Sequence, residues 1–272
     1  MKSREIIIGT SGYAFDDWKG VFFPEKIAQR HWLPYYAQYF PAVEINTTYY
    51  AIPRRGVLER MAQITPESFR FVVKLPGEIT HKRDGDLSVF ENFSSRVDEI
   101  ADAGKLSGLL AQFPFSFKRS DTAEAYLPFM RDNLPREVPL FVEFRHRTWD
   151  DASTIELVDK AGLGWVSADE PDIPQLMARR VAATGDTAYI RLHSRDATKW
   201  WSEGGKLRYD YDYSNTELGE IISRINALPA PITRVFVFFN NCHGGSAVRN
   251  ALAMKELLGQ SVLPSGGQIG LL

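Results

Sequence analysis

Pro139-Leu-Phe-Val-Glu-Phe-Arg-His-Arg-Thr-Trp149, near the middle of the chain, reads as a short β-strand that begins apolar and ends polar. Residues two apart on a strand share a face, so Glu143 and Arg145 point the same way. Burying a carboxylate and a guanidinium is costly unless each finds a partner. The pair therefore marks a polar site at the rim of a core, and the fold turns on whether other strands end alike.

The same pattern recurs along the chain. Val43-Glu-Ile-Asn46 puts Glu44 and Asn46 on one face, Phe69–Leu75 carries Lys74 at its end, and Gly108–Phe113 closes on Gln112. Gly164–Asp169 ends in Asp169, Ala188–His193 aligns Tyr189, Arg191 and His193, and Arg234–Asn241 ends near Asn240. Ile6–Gly9 is a first strand running into Thr10-Ser-Gly-Tyr13. Helical spacing or capping residues predict helices over about 26–40, 52–63, 90–104, 122–133 with Thr122 as cap, 153–161 with Ser153 or Thr154 as cap, 217–228 and 246–258. Eight strands alternating with helical segments predict an α/β fold with a parallel sheet, and eight close a TIM (β/α)8 barrel. The alternative, an open doubly wound sheet, does not need eight strands spaced so evenly. At 272 residues the chain fits one such domain, 1–272, with a Gly-rich tail from about 260 expected to be poorly ordered.

Composition narrows the function classes. With 44% hydrophobic and 24% charged residues and a net charge of -2, the chain reads as globular and carries no basic block of the kind that tracks a phosphate backbone. A single cysteine, Cys242, excludes an internal disulfide and fits a reducing compartment. The first residues hold too short an apolar run for a signal peptide, and no run reaches membrane-spanning length, so a cytoplasmic protein with no membrane partner is expected.

In a (β/α)8 barrel, chemistry gathers at the carboxyl ends of the strands. The ends converging there mix Glu44, Glu143 and Asp169 with Lys74, Arg145 and Arg191. Three cations suit a carboxylate or phosphate, and Asn46, Tyr49, His81, Gln112, Trp149 and Asn240 are the expected further binding residues. Glu143 and His193 are the expected proton-transfer pair, with Glu44 and Asp169 as further catalytic candidates; a structural hydrogen-bonding role is the plain alternative for each histidine. No paired-cysteine or H-x-x-x-H spacing is present and the neighbouring Arg and Lys repel cations, so no metal and no cofactor are expected. Cys242 reads as a small turn residue rather than a nucleophile. Gly244-Gly-Ser246 with Arg249 is a candidate phosphate turn, weighed equally against a plain turn with a Ser cap. The connection from Ser194 to about Asn215, with Trp200, Trp201 and three tyrosines, is long enough to be a binding loop.

Ile8-Gly-Thr-Ser-Gly-Tyr13 with Trp18, Val43-Glu-Ile-Asn-Thr-Thr-Tyr-Tyr50, Lys74 followed by Ile79-Thr-His81, Gln112-Phe-Pro114, Glu143-Phe-Arg-His146 with Trp149, Tyr189-Ile-Arg-Leu-His193, and Phe239-Asn-Asn241 with Asn250-Ala251 together resemble the YecE-like, or DUF72, family. The resemblance spans nearly the whole chain in order and implies a TIM barrel, with no biochemical function attached. Tyr13 stands where the family usually has Trp, and Ser194 where a Gly commonly follows the His. Such barrels have been likened to xylose isomerase and endonuclease IV, but the metal-binding histidine set of the latter is not evident. The sequence thus leads to an enzyme with a small anionic substrate and metal-independent acid/base chemistry. The alternatives are a noncatalytic module for nucleic acid or a nucleotide, using the same cations plus Trp200 and Trp201, and a metal-dependent hydrolase of the endonuclease IV type.

Overall fold

Strand β1 (Glu5–Ser11) pairs in parallel with both β2 (Ala42–Ile45) and β8 (Arg234–Phe239), and these pairings close the sheet. Between them run β3 (Arg70–Lys74), β4 (Leu106–Gln112), β5 (Leu140–Glu143), β6 (Gly164–Asp169) and β7 (Thr187–Leu192), each bonded to its sequence neighbour. The result is a closed eight-stranded parallel barrel of the TIM (β/α)8 class. This computed structural model describes residues 4–202 and 207–262.

The barrel interior is filled by alternate residues of every strand. Ile7, Ala42, Val72, Leu110, Phe141, Val166, Tyr189, Phe236 and Phe238 form one buried cluster, separate from the core under the helices. Phe141 fills the lower layer because Gly108 and Gly164 flank its ring, and a Cβ at either would collide with it. Gly9 serves a different end: a Cβ there would run into the backbone carbonyl oxygen of Ala42, so only glycine lets β1 and β2 approach this closely. Continuing each strand by two residues from this layer leads to the barrel's mouth.

The outer shell departs from the expected helices in instructive ways. In place of a helix over 26–40 there is a short 3-10 turn and α1 (Trp32–Tyr36). Aromatic packing replaces it: Phe22 contacts Phe23, Tyr35, Tyr36, Tyr39 and Phe40, and the Tyr36 hydroxyl accepts from the Thr10 amide at 2.8 Å and donates to the Ala42 carbonyl at 3.1 Å. Helix α2 (Val57–Gln63) starts later than expected because Gly56, at φ 82°, is not helical. Helix α3 covers Leu87–Ala101. The caps of α4 (Asp121–Asp132) and α5 (Ala152–Lys160) are Ser120 and Asp151, each at least two residues ahead of the candidates read from sequence. A short α6 (Ala197–Trp200) lies in the loop after β7, and α7 (Asn215–Asn226) opens on a capping box of Ser214 and Glu217. Helix α8 spans Ser246–Leu257.

Strict alternation fails once. Residues 170–186, between β6 and β7, hold no helix. They run back along β6 instead, where the Ser167 hydroxyl donates to the Ala182 carbonyl at 3.1 Å and accepts its amide at 3.0 Å, and Thr184 Oγ1 accepts the Trp165 amide at 2.9 Å. The expected loose tail falls mainly on 263–272, outside the described residues; Gln260 itself donates to the Ile6 carbonyl at 2.9 Å. No helix among the described residues is long and apolar enough to cross a membrane.

Gly9→Ala is expected to lower stability by about 2–4 kcal/mol in urea unfolding, because backbone must move to admit the methyl group. Gly219→Ala, in α7 with open space around it, is expected to raise stability by about 0.5–1 kcal/mol. Equal effects of the two changes would contradict the close β1–β2 approach.

Candidate functional site

Above the apolar interior sits a layer of buried charge. Arg191, on β7, reaches across the barrel: its Nε and Nη2 meet Glu44 of β2 at 2.9 and 2.7 Å, and its Nη1 meets Glu143 of β5 at 2.6 Å. Tyr189 donates its hydroxyl to Glu44 Oε2 at 2.5 Å. Arg145, two residues past Glu143, forms an ion pair with Glu143 Oε1, 2.6 Å from its Nη2, and donates a hydrogen bond to Glu170 through Nη1. Its Nη2 also lies 3.2 Å from His193 Nε2. All of these groups are buried.

The titration of the layer follows from its charge count. Burial pushes the Glu143 carboxyl up, but the adjacent Arg145 and Arg191 outweigh it and hold the group well below the usual carboxylate range. Two guanidiniums then face three carboxylates. Glu170 is the surplus one: burial pushes it up to about 7, with Arg145 opposing and the charge of Glu143 adding to the rise. Arg145 touches both carboxylates, and Glu143 favours its charged form more than Glu170 does. One proton on Glu170 makes the layer neutral. His193 is driven well below its ordinary value by burial and by Arg145, and is a neutral ring at physiological pH. Its Nδ1 lies 2.9 Å from the Asn240 side-chain amide, and its Nε2 lies 3.4 Å from Glu143 Oε1.

Glu143, Glu170 and His193 have ligand atoms within 4.8 Å of one another, the sole such described group that metal could join. Each of the three already contacts the Arg145 guanidinium, which occupies the place a cation would take.

Over this layer opens a cleft of about 790 Å³. Lys74, the last residue of β3, enters it with Nζ donating to Gln112 Oε1 at 2.7 Å and lying 4.7 Å from the centre of the Tyr49 ring. Burial lowers the Lys74 ammonium to about 7, Arg191 pushes the same way, and Glu44 and Glu143 only partly oppose them. His81, edge-on to Tyr49 at 4.8 Å, is lowered to about 4 by burial and by Lys74 and is therefore neutral. Its Nδ1 is 2.9 Å from the Thr80 hydroxyl. Arg191, Arg208 and Asn240 also line the cleft, and so does Asn46, whose buried Oδ1 has no partner among the described residues. The described lining includes no carboxylate.

The sequence-derived candidates therefore divide into three groups. Lys74, His81, Gln112, Asn46, Tyr49, Arg191 and Asn240 meet at the cleft. Glu44, Glu143, Arg145 and His193 lie beneath it, pinned in the ion-pair layer; Glu44 and Glu143 share one guanidinium and are not a free acid/base pair. Asp169 and Trp149 belong to neither. Asp169 has the opposite pleat to Val166, so its carboxylate leaves the barrel and pairs with Arg195 at 2.9 and 3.0 Å and with the Tyr213 hydroxyl at 3.0 Å. Trp149 stacks on Phe144 at 4.2 Å and donates to the Phe117 carbonyl at 2.7 Å, as a core residue. Sequence reading missed Glu170, although Val166, Ala168 and Glu170 follow the inward parity. It also missed Arg208 and Tyr209, which reach the cleft from a loop whose path no periodicity announces.

The remaining candidates resolve structurally. Trp200 is buried, with Arg145 and Arg208 close to its ring, whereas Trp201 packs edge-on against Phe115 at 5.1 Å and stays half exposed. In the Gly244 turn the amide is taken by Asp17 at 2.7 Å, so an acidic side chain already fills the anticipated phosphate position. The Cys242 thiol is pushed up by burial, which argues against a thiolate nucleophile.

Residues 7–268 match the family model described as "Protein of unknown function DUF72". The UPF0759 protein YunF of Bacillus subtilis (strain 168) is 31% identical over 93% of this chain and 94% of its own length. The UPF0759 protein YecE of Escherichia coli (strain K12) is 34% identical over 41% of this chain. A crystal structure of a DUF72 family protein from Thermotoga maritima MSB8 superposes with a TM-score of 0.86 at 39% identity, covering 94% of this chain and 100% of that one.

Folded Glu170 keeps a proton between about pH 4.5 and 7 that the unfolded chain releases, so its contribution to stability declines as pH rises through that window. Glu170→Gln is expected to remove this slope and to gain about 1–3 kcal/mol on the wild type between pH 5 and 8, read from urea midpoints. Arg191→Met, which strands two buried carboxylates, is expected to lose about 3–5 kcal/mol. A parallel pH profile for Glu170→Gln and wild type would contradict the charge count.

Proposed function

Because the chain belongs to the DUF72 family, described as of unknown function, we propose a function from the site itself: the barrel mouth is an enzyme site for a small anionic substrate, carboxylated or phosphorylated, and works by acid/base chemistry without a metal. The observation that carries this reading is the lining of the cleft, which brings Lys74, Arg191 and Arg208 to one space with no carboxylate among the described residues. Arg191 is mostly spent on Glu44 and Glu143, so the available charge comes from Lys74 and Arg208. A guanidinium or ammonium without a counter-ion in a half-enclosed space favours an anion by charge-assisted hydrogen bonding.

Acid/base work falls to the groups that touch the cleft. Lys74, titrating near 7, is half protonated at neutral pH and can give or take a proton there. His81, neutral and beside Tyr49, is a proton acceptor on the same wall. Glu143 and His193 support the site from below: they fix Arg145 and Arg191 and so set the field at Lys74, rather than meeting the substrate.

Sulfate, whose charge is constant over the range, is a suitable probe of the anion site. Its binding to wild type, measured by calorimetry, is expected to weaken by about tenfold per pH unit above pH 7 as Lys74 loses its proton. Lys74→Met is expected to lower affinity at pH 6 by about tenfold or more and to abolish that pH dependence. Sulfate affinity that is flat with pH and unchanged in the variant would contradict the anion site.

A further inference from the structure

We propose that Lys74 is an imine-forming residue, whose Nζ condenses with the carbonyl group of a small anionic aldehyde or ketone in the barrel mouth. This rests on the reading of the cleft as an anion site and adds the substrate's reactive group.

The geometry separates Lys74 from the chain's other buried lysines. Lys105 donates to the Ala62 carbonyl, the Thr65 carbonyl and Thr65 Oγ1, and Lys255 to the Tyr39 carbonyl. Both tie elements together. Lys74 has one oxygen acceptor, Gln112 Oε1, and the face of Tyr49, with the rest of its ammonium turned to a cleft. No carboxylate pairs with it among the described residues. If its task were only to hold an anion, a permanently charged group would serve better. Instead burial, and after it the guanidinium of Arg191, opposes its charge, which leaves a lone pair on Nζ at neutral pH.

The chemistry closes with groups at hand. The Nζ lone pair attacks the carbonyl carbon, the C–N bond forms, and one amine proton passes to the oxygen to give a carbinolamine. The ammonium proton that Lys74 sheds to His81 on becoming a nucleophile is then returned to that oxygen, which leaves as water. The product is an iminium ion that keeps one N–H, or the neutral imine after that proton too departs. No oxidant or reductant is needed. Asn46 Oδ1, buried and without a partner, accepts from the carbinolamine hydroxyl. His81 accepts the protons shed along the way, and Arg208 holds the anionic group. The iminium then draws electrons from the adjacent carbon, which makes a C–H or C–C bond there the one to be broken.

Reductive alkylation of the full chain at pH 7 tests this. Formaldehyde and glyoxylate, one neutral and one anionic aldehyde, are each supplied with cyanoborohydride, and the adducts are located by peptide mass mapping. Lys74 is expected to react at least tenfold faster than the surface lysines with both, and sulfate is expected to slow the glyoxylate reaction. Lys74→Arg, folded by circular dichroism and still binding sulfate, is expected to lose the fast adduct. Sulfate binding that follows the expected pH dependence, together with a Lys74 no faster than the surface lysines, would overturn the imine and leave the anion site standing. Fast formaldehyde labelling without sulfate binding would support the amine chemistry and remove the anionic substrate.

Discussion

Arg191 holds two opposite walls of the barrel together. From β7 it clamps Glu44 on β2 with two nitrogens and Glu143 on β5 with a third, all in a space that water does not reach. A guanidinium is the group for this task because its planar fork can meet two carboxylates at once and stays charged when buried. Taking these ions out of water is costly, and only near-complete pairing offsets that cost. The pairing therefore dictates which strands must end in glutamate and which in arginine. It also explains why Tyr189, Arg145 and His193 crowd around the same carboxylates.

What this layer does for function is indirect. Its guanidiniums are consumed by carboxylates, so the charges most conspicuous in the sequence are not those a ligand meets first. Their residual effect falls on the next layer up. Lys74 sits above two guanidiniums with no carboxylate of its own, and its ammonium is depressed to about 7 by burial and by that neighbourhood. A strongly paired base of the barrel thus produces a weakly held proton at its mouth, which is the arrangement a site for acid/base or amine chemistry needs.

Much of this was legible in the sequence, because the strand period is two and each inward residue predicts the next. Glu44, Lys74, Gln112, Glu143, Arg145, Arg191, His193 and Asn240 all keep the parity of the inner apolar cluster. Asp169, the polar last residue of β6, lies off this parity, and the pleat carries inward to Glu170 instead. Whether a residue such as Trp149 stacks in the core or at a mouth depends on the course of a turn, and its sequence environment is the same in both cases. The missing helix between β6 and β7 and the arrival of Arg208 and Tyr209 at the cleft are loop properties, set by long-range packing that leaves no periodic trace.

The chemistry of the barrel mouth stands on the protonation of one amine. Side-chain nitrogen NMR of protein labelled with nitrogen-15 lysine, with the Lys74 signal assigned by its absence in Lys74→Arg, measures it directly. A midpoint near pH 7 for Lys74 is the result the buried charge layer predicts. A midpoint near 10.5, the ordinary lysine value, would contradict it and leave Lys74 as a permanently charged ammonium.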